Sequence, residues 1–338
     1  MNNKSLNSTL PFQAEIAGIG SYLPEKVLTN FELQEKIDTS DEWIRKRTGI
    51  EERRIASKEE SSSVLAAQAA RKALDSANLG VEDVDLIVVA TSSPDVLFPS
   101  TACFVQKELG AGRAVAFDIT AVCSGFVFAV SVAEQYIKNG QFKTALVIGS
   151  EVNSRIVNWE DRSTCILFGD GAGAMVLKRA KSEENNGVLS THIHSDGDRS
   201  DLIRVPGGIG RTGISSKSVE NGEYFIHMSG NATFKIAVQK LEDVSREALA
   251  QNGFSTEDVD VVVPHQANRR IIDAAAERLD ISKDKVFSNI HKYGNTSAAS
   301  IPIALAEACE NGVIKKGNLV LLMVVGAGLT WGAGLIKW

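Results

Sequence analysis

No apolar run in this chain approaches the roughly 20 residues that a membrane helix needs; the longest near the C-terminus is Leu319 to Val325. The opening stretch, MNNKSLNSTLPF, holds no apolar core of a secretory signal, so a cytoplasmic location is expected. Cysteine is scarce. Cys103, Cys123, Cys165 and Cys309 are widely spaced and form no Cys-x-x-Cys pair, which reads as reduced thiols rather than a disulfide framework or zinc site. Positive charge is not in excess: 36 Lys and Arg face 42 Asp and Glu, and the net charge of −6 disfavours a general nucleic-acid binder. With 43% hydrophobic and 23% charged residues the chain is not disordered. Its 338 residues suit two domains or one large α/β unit.

What is present is a repeat. ALDSANLGVEDVDLIVV, from Ala73, matches ALAQNGFSTEDVDVVVP, from Ala248, at an offset of 175 positions. AEQYIKNG, ending at Gly140, matches EACENG, ending at Gly312, at an offset of 172. In each pair a helical stretch closes in a polar turn, and a β-rich stretch follows. Alternating helix and strand predict layered helices on a mostly parallel sheet. The expected halves are 12–182 and 183–338, with 1–11 a flexible arm. Lys181 to Gly187 is a polar linker.

Cys123 lies in FDITAVCSGFVF, where a β-type run, Ala114 to Thr120, gives way to a helical pattern beginning at Ser124 and Gly125. A cysteine at a helix N-terminus is placed for nucleophilic acyl transfer, with the helix dipole favouring thiolate. The alternative use is a small buried hydrophobe, which is how Cys103, Cys165 and Cys309 read. His265 follows a strand directly in VDVVVPHQANRRI, at the sheet rim where α/β proteins bind ligands. Gln266 or Asn268 would cap the next helix. Asn295, in KYGNTSAAS, reads by itself as a helix cap. At the offset of 172 it falls in the second half where Cys123 falls in the first, so two helix N-termini would point at one central site. His192 and His194 alternate on one strand and read as an exposed strand rather than a metal site. FGDGAGAMVL and VGAGLTWGAG lack the residues of a phosphate loop and read as tight turns.

Taken in order, SYLPEKVLTN, TSDEWIRKRTGIEERRI, AVCSGF, FGDGAGA, PHQANRRI, YGNTSAAS and GLTWGAG resemble β-ketoacyl-acyl-carrier-protein synthase III, over about Ala14 to Trp338. The resemblance implies a five-layered αβαβα thiolase-like fold of two duplicated halves, in a homodimer. It implies a catalytic Cys123, His265 and Asn295, and an oxyanion hole from the backbone N–H groups of Cys123 and Ala327. Coenzyme A contacts would fall on Trp43, Arg47, Arg162 and Arg270, and the acyl pocket on Met228 and, across the dimer, Phe98. Carrier-protein docking would fall on Arg269, Arg270 and Arg278. The implied reaction joins a short acyl-CoA, acetyl-CoA first, to malonyl-acyl-carrier protein, at the start of type II fatty acid synthesis. It uses no metal or other cofactor, no nucleic acid and no membrane. The alternatives are a paralogue with another starter or acceptor, or a non-catalytic subunit of a condensing complex. The chain departs from the family in reading Val325, Ala327 and Leu329 where Phe-Gly-Gly-Gly-Phe is frequent, and in Glu277 at a carrier-docking position.

Overall fold

The computed structural model describes residues 10–181 and 186–338. Most of the expected arm and linker lies outside the described residues. Nine strands make the two main sheets: β1 (Phe12–Tyr22), β2 (Leu86–Ala90), β3 (Val115–Ile119), β4 (Thr144–Val152), β5 (Asp170–Lys181), β6 (Gly187–Ser195), β7 (Val261–Pro264), β8 (Leu319–Gly326) and β9 (Thr330–Lys337). The first sheet runs β1-β5-β4-β2-β3 and the second β7-β8-β9-β6. Read from β1 and from β6, the two orders match, except that the second sheet has no counterpart of the edge strand β3.

Six helices matter for the site: α1 (Asp41–Thr48), α2 (Ser62–Ala77), α3 (Gly125–Lys138), α4 (Gly230–Gln251), α5 (Arg269–Arg278) and α6 (Ser300–Glu310). Helices α3 and α6 lie between the sheets, and their apolar faces share one core with Val88, Val147, Val263 and Leu322. Alanines of α2 cover the outer face of the first sheet. Ala237 to Leu249 of α4, with Ala275 of α5, cover the outer face of the second. The result is five layers, helix–sheet–helix–sheet–helix. Strands buried on both faces need continuous apolar sequence, which Leu86–Ala90 and Leu319–Gly326 supply.

Two sequence expectations change. The sheets are mixed rather than mostly parallel: β2 pairs in parallel with β3 and β4, and β7 with β8. The remaining pairs, β1–β5, β4–β5, β8–β9 and β9–β6, are antiparallel. No long crossover helix intervenes where β8 turns into β9 over three residues, and so short a link forces an antiparallel pair. The register of the repeat also shifts. β1 and β6, β2 and β7, β4 and β8, and α3 and α6 all begin 175 positions apart. α6 has 11 residues against 14 in α3, so only the helix ends stand 172 apart. The counterpart of Cys123 is therefore Ala298, and Asn295 matches Thr120.

Candidate functional site

Each central helix is entered through a short 3-10 turn, Val122–Ser124 before α3 and Ser297–Ala299 before α6. The first residue of each turn has a positive φ, 47° at Val122 and 48° at Ser297. That region disfavours side chains, a β-branched one above all, and such strain persists where surrounding packing imposes it. Here the two turns pack on each other. Gly149 of β4 makes room for them, since a Cβ there would lie 2.3 Å from the Ala298 carbonyl oxygen. The chain thus presents Cys123 from one half and the Asn295 loop from the other to one cavity.

That cavity, of about 220 Å³, is walled by Cys123, His265 and Asn295 together, with Ala327 and Met228 among its apolar lining. Cys123 is buried. Burial pushes its thiol up to about 12; a contact from Ser297 works against this, and the Glu151 charge adds to it. Burial thus works against the thiolate that a helix N-terminus favours. Gly326 packs at the Cys123 backbone, where a Cβ would stand 3.1 Å from its nitrogen.

His265 follows β7, and its N–H donates to the Met323 carbonyl (2.8 Å), continuing the ladder past Pro264. Its Nδ1 lies 2.6 Å from Ser300 Oγ, which also receives the Gln266 N–H at 3.4 Å. The arrangement that satisfies all three groups has the Ser300 hydroxyl donating to Nδ1, which places the ring hydrogen on Nε2. Burial lowers the imidazole to about 3, so it is neutral. Asn295 is tied by its own N–H to the Leu167 carbonyl (2.8 Å), and its carbonyl accepts from Gly169 N–H (3.1 Å). Its Oδ1 accepts the Ser297 N–H at 2.8 Å, leaving Nδ2 as the free donor. Sequence reasoning missed Ser300 and Ser297, which orient the two donors. The only trace was their place in the NTSAAS segment.

Trp43, Lys46, Arg47 and Arg270 line a second cleft, joined to the cavity where Arg270 stands 5.4 Å over the ring of Phe234 in the cavity wall. Ser40 caps α1 by accepting from Trp43 N–H (3.1 Å). Two guanidiniums stand over the Trp43 ring, those of Arg47 and Arg162, each 4.8 Å from its centroid. Asn268, not Gln266, caps α5, and its Nδ2 donates to the Arg47 carbonyl (3.1 Å), which locks α1 to α5. Lys46 was missed; its signal is the run of basic residues in the last turn of α1.

The other expected residues lie further out. Arg269 pairs with Asp273 (2.8 Å) and Arg278 with Glu242 (3.1 Å). Phe98 does not line this chain's cavity; it is 79% exposed, beside exposed Val96 and Leu97. His192 and His194 are not a bare exposed strand. His192 is buried, and both rings contact Glu247, at 3.3 Å and 2.7 Å. No group of three metal-ligating side chains occurs among the described residues. All four cysteines are free, with Cys165 buried and Cys103 and Cys309 partly so.

A buried thiol facing two neutral hydrogen-bond donors suits acyl transfer followed by carbanion chemistry, and on stacked, duplicated sheets it marks a thiolase-like condensing enzyme. Family models described as 3-oxoacyl-[acyl-carrier-protein (ACP)] synthase III and its C-terminal part match residues 117–197 and 249–338. The chain is 52% identical over 324 residues to beta-ketoacyl-[acyl-carrier-protein] synthase III of Aquifex aeolicus, covering 96% of this chain and 99% of that one. It is 50% identical over 325 residues to the protein of that name from Caldanaerobacter subterraneus, covering 96% and 98%. The crystal structure of the Aquifex aeolicus enzyme superposes with a TM-score of 0.89 at 51% identity, covering 96% of this chain and all of that one. This chain belongs to the β-ketoacyl-[acyl-carrier-protein] synthase III family.

Proposed function

We propose that this condensing acyltransferase starts fatty acid synthesis by joining a short acyl-CoA, acetyl-CoA first, to malonyl-acyl-carrier protein. The observation that carries the reading is the convergence of Cys123, His265 and Asn295 in one cavity beside a basic, indole-bearing cleft. Trp43, Arg47, Arg162 and Arg270 hold coenzyme A by stacking and charge. The Cys123 sulfur attacks the thioester carbonyl. A carbon–sulfur bond forms to Cys123, the bond to coenzyme A breaks, and the thiol proton leaves on the coenzyme A sulfur. The backbone N–H groups of Cys123 and Ala327 receive the oxyanion.

Malonyl carrier protein then docks on the face bearing Arg269, Arg270 and Arg278. Its carboxylate leaves as CO2, and the electron pair moves into an enolate whose oxygen receives hydrogen bonds from His265 Nε2 and Asn295 Nδ2. Two neutral donors stabilise this anion without protonating it, and that keeps its carbon nucleophilic. The carbon attacks the acyl group on Cys123, releasing β-ketoacyl carrier protein and a thiolate that takes one proton. The reaction balances with these two thioesters and one proton from solvent, and calls for no cofactor. Met228 lines the acyl end, and Phe98 completes it from the partner in a homodimer, which accounts for so exposed an aromatic side chain. No helix among the described residues is long and apolar enough to cross a membrane, which fits work in the cytoplasm on dissolved substrates.

The test is an acyl-CoA panel with malonyl carrier protein, scored for CO2, β-ketoacyl product and label on Cys123. Acetyl-CoA should be the preferred starter. A longer or branched preference would assign the chain to a paralogous role, and label on no cysteine from any acyl-CoA would sink the catalytic reading.

A further inference from the structure

Glu151, at the end of β4, takes no part in the chemistry above, yet it is fully buried beneath the thiol. Both its carboxylate oxygens are held. Ser92 N–H donates to each at 3.1 Å, Ser92 Oγ to Oε1 at 2.8 Å and Ser93 Oγ to Oε2 at 2.6 Å. Thr91 Oγ1 and the Ala298 N–H approach at 3.4 Å. Burial holds this carboxyl above the ordinary carboxylate range, while the hydrogen bonds from Ser93 and Ser92 pull the other way; every partner is a donor, which favours the anion against that burial. These donors come from the loop after β2 and from the turn before α6, so Glu151 ties the two halves together directly under the site.

Ser297 stands between this carboxylate and the nucleophile. Its hydroxyl is buried and lies beside both Cys123 and Glu151, but it makes no hydrogen bond of ordinary geometry to either. Its backbone N–H is already committed to Asn295 Oδ1, and its positive φ sets where the Cα–Cβ bond leaves the turn. A buried hydroxyl within reach of two acceptors and fully bonded to neither is rare in a well-packed interior and calls for an explanation.

We propose that Ser297 is a positioning residue whose hydroxyl turns between the Glu151 carboxylate and the Cys123 sulfur. It would rest on the carboxylate while the sulfur is a thiol and support the negative charge that develops on the sulfur as its proton passes to coenzyme A. The hydroxyl keeps its hydrogen throughout and only changes acceptor; the thiol proton still leaves on coenzyme A. Glu151 thus restrains an idle nucleophile by its charge, and Ser297 lifts that restraint during reaction. The ionisable groups meeting the thiol are Glu151 and His265. The packed residues Val325 and Gly326 of β8, Thr330 of β9 and 297–299 of the second turn are uncharged.

The inference rests on Cys123 being the nucleophile, and the test separates the two. Iodoacetamide alkylation of the full-length protein is followed as a rate at one fixed pH, with Cys123 located by peptide mass, alongside acylation by acetyl-CoA. If wild-type Cys123 takes no acyl label, the parent reading fails. Given label, Ser297→Ala and Ser297→Gly should each slow both alkylation and acylation about tenfold. Equal effects assign the change to the hydroxyl, since glycine also relaxes the backbone. Decarboxylation of malonyl carrier protein should fall less than acylation, because the Asn295 contact is to backbone. Glu151→Gln should speed alkylation. Wild-type alkylation rates in the Ser297 variants, or a Glu151→Gln change in the same direction as theirs, overturn the proposal. Should Glu151→Gln not fold, the two Ser297 variants decide alone.

Discussion

His265 offers a test in which stability reports on the chemistry. Its imidazole is held at about 3 against an ordinary 6.5, because the buried site disfavours the cation. In the unfolded chain the ring takes a proton below 6.5, while in the folded protein it does not until near 3. Its neutral burial therefore adds no penalty above 6.5, and stability is lost as pH falls toward 3. The slope in that window is about 1.4 kcal/mol per pH unit, and the loss between pH 7 and pH 5 is about 2 kcal/mol. His265→Gln removes the titration and leaves an amide to meet Ser300 Oγ. Urea unfolding of both proteins, at one protein concentration and followed by tryptophan fluorescence, isolates this residue, since every other titrating group is shared. Wild type should lose about 2 kcal/mol more than the variant between pH 7 and pH 5. Equal losses would show that the ring is charged or exposed to solvent in the folded protein, and that a neutral donor to the enolate is the wrong picture.

Three other outcomes follow from the site. Cys123→Ala should form no acyl-enzyme and make no condensed product while still decarboxylating malonyl carrier protein; mass spectrometry and labelled CO2 release check both. Asn295→Asp should still accept acyl groups but lose about 100-fold or more in decarboxylation, because a carboxylate replaces the Nδ2 donor, and single-turnover kinetics of each half-reaction decide this. Ala327 has no positive φ, so Ala327→Gly should keep turnover within a few-fold, whereas Ala327→Pro deletes the N–H and should cost roughly 3 kcal/mol, about 100-fold. Turnover is read beside melting temperature, and a folded proline variant with near-normal turnover would place the oxyanion elsewhere.

The sequence made the layers legible because buried strands such as Leu319–Gly326 must be apolar on both faces, and a duplication shows as recurring turns. Cys123 and His265 were legible because each sits where a strand ends and a helix begins; Asn295 follows a short helix, Ile290–Tyr293, and was reached only through the offset of 172 and the family resemblance. Their equivalence was misread at one point. Helix ends are marked by Asn-Gly, so counting back from Gly140 and Gly312 gave 172, but a shorter α6 puts the helix starts 175 apart. The supporting residues were not legible at all. Glu151 and Ser297 look like ordinary polar residues until the fold brings them, 146 positions apart in sequence, close enough to act on one thiol. Direction of pairing was equally hidden, since an apolar strand reads the same in a parallel or an antiparallel sheet.

The two positive-φ turns carry a consequence for how a duplicated protein divides its labour. Cys123 lines the cavity, while its counterpart Ala298 is 1% exposed, and its methyl would lie 3.4 Å from any side chain placed on Gly125. A thiol restored at position 298 would be sealed beneath the floor, facing the first half's turn rather than a substrate. Descent from two equal copies has therefore ended in a one-way specialisation. One turn bears the nucleophile, the other has become the bench on which it rests, and no single substitution can exchange the two roles.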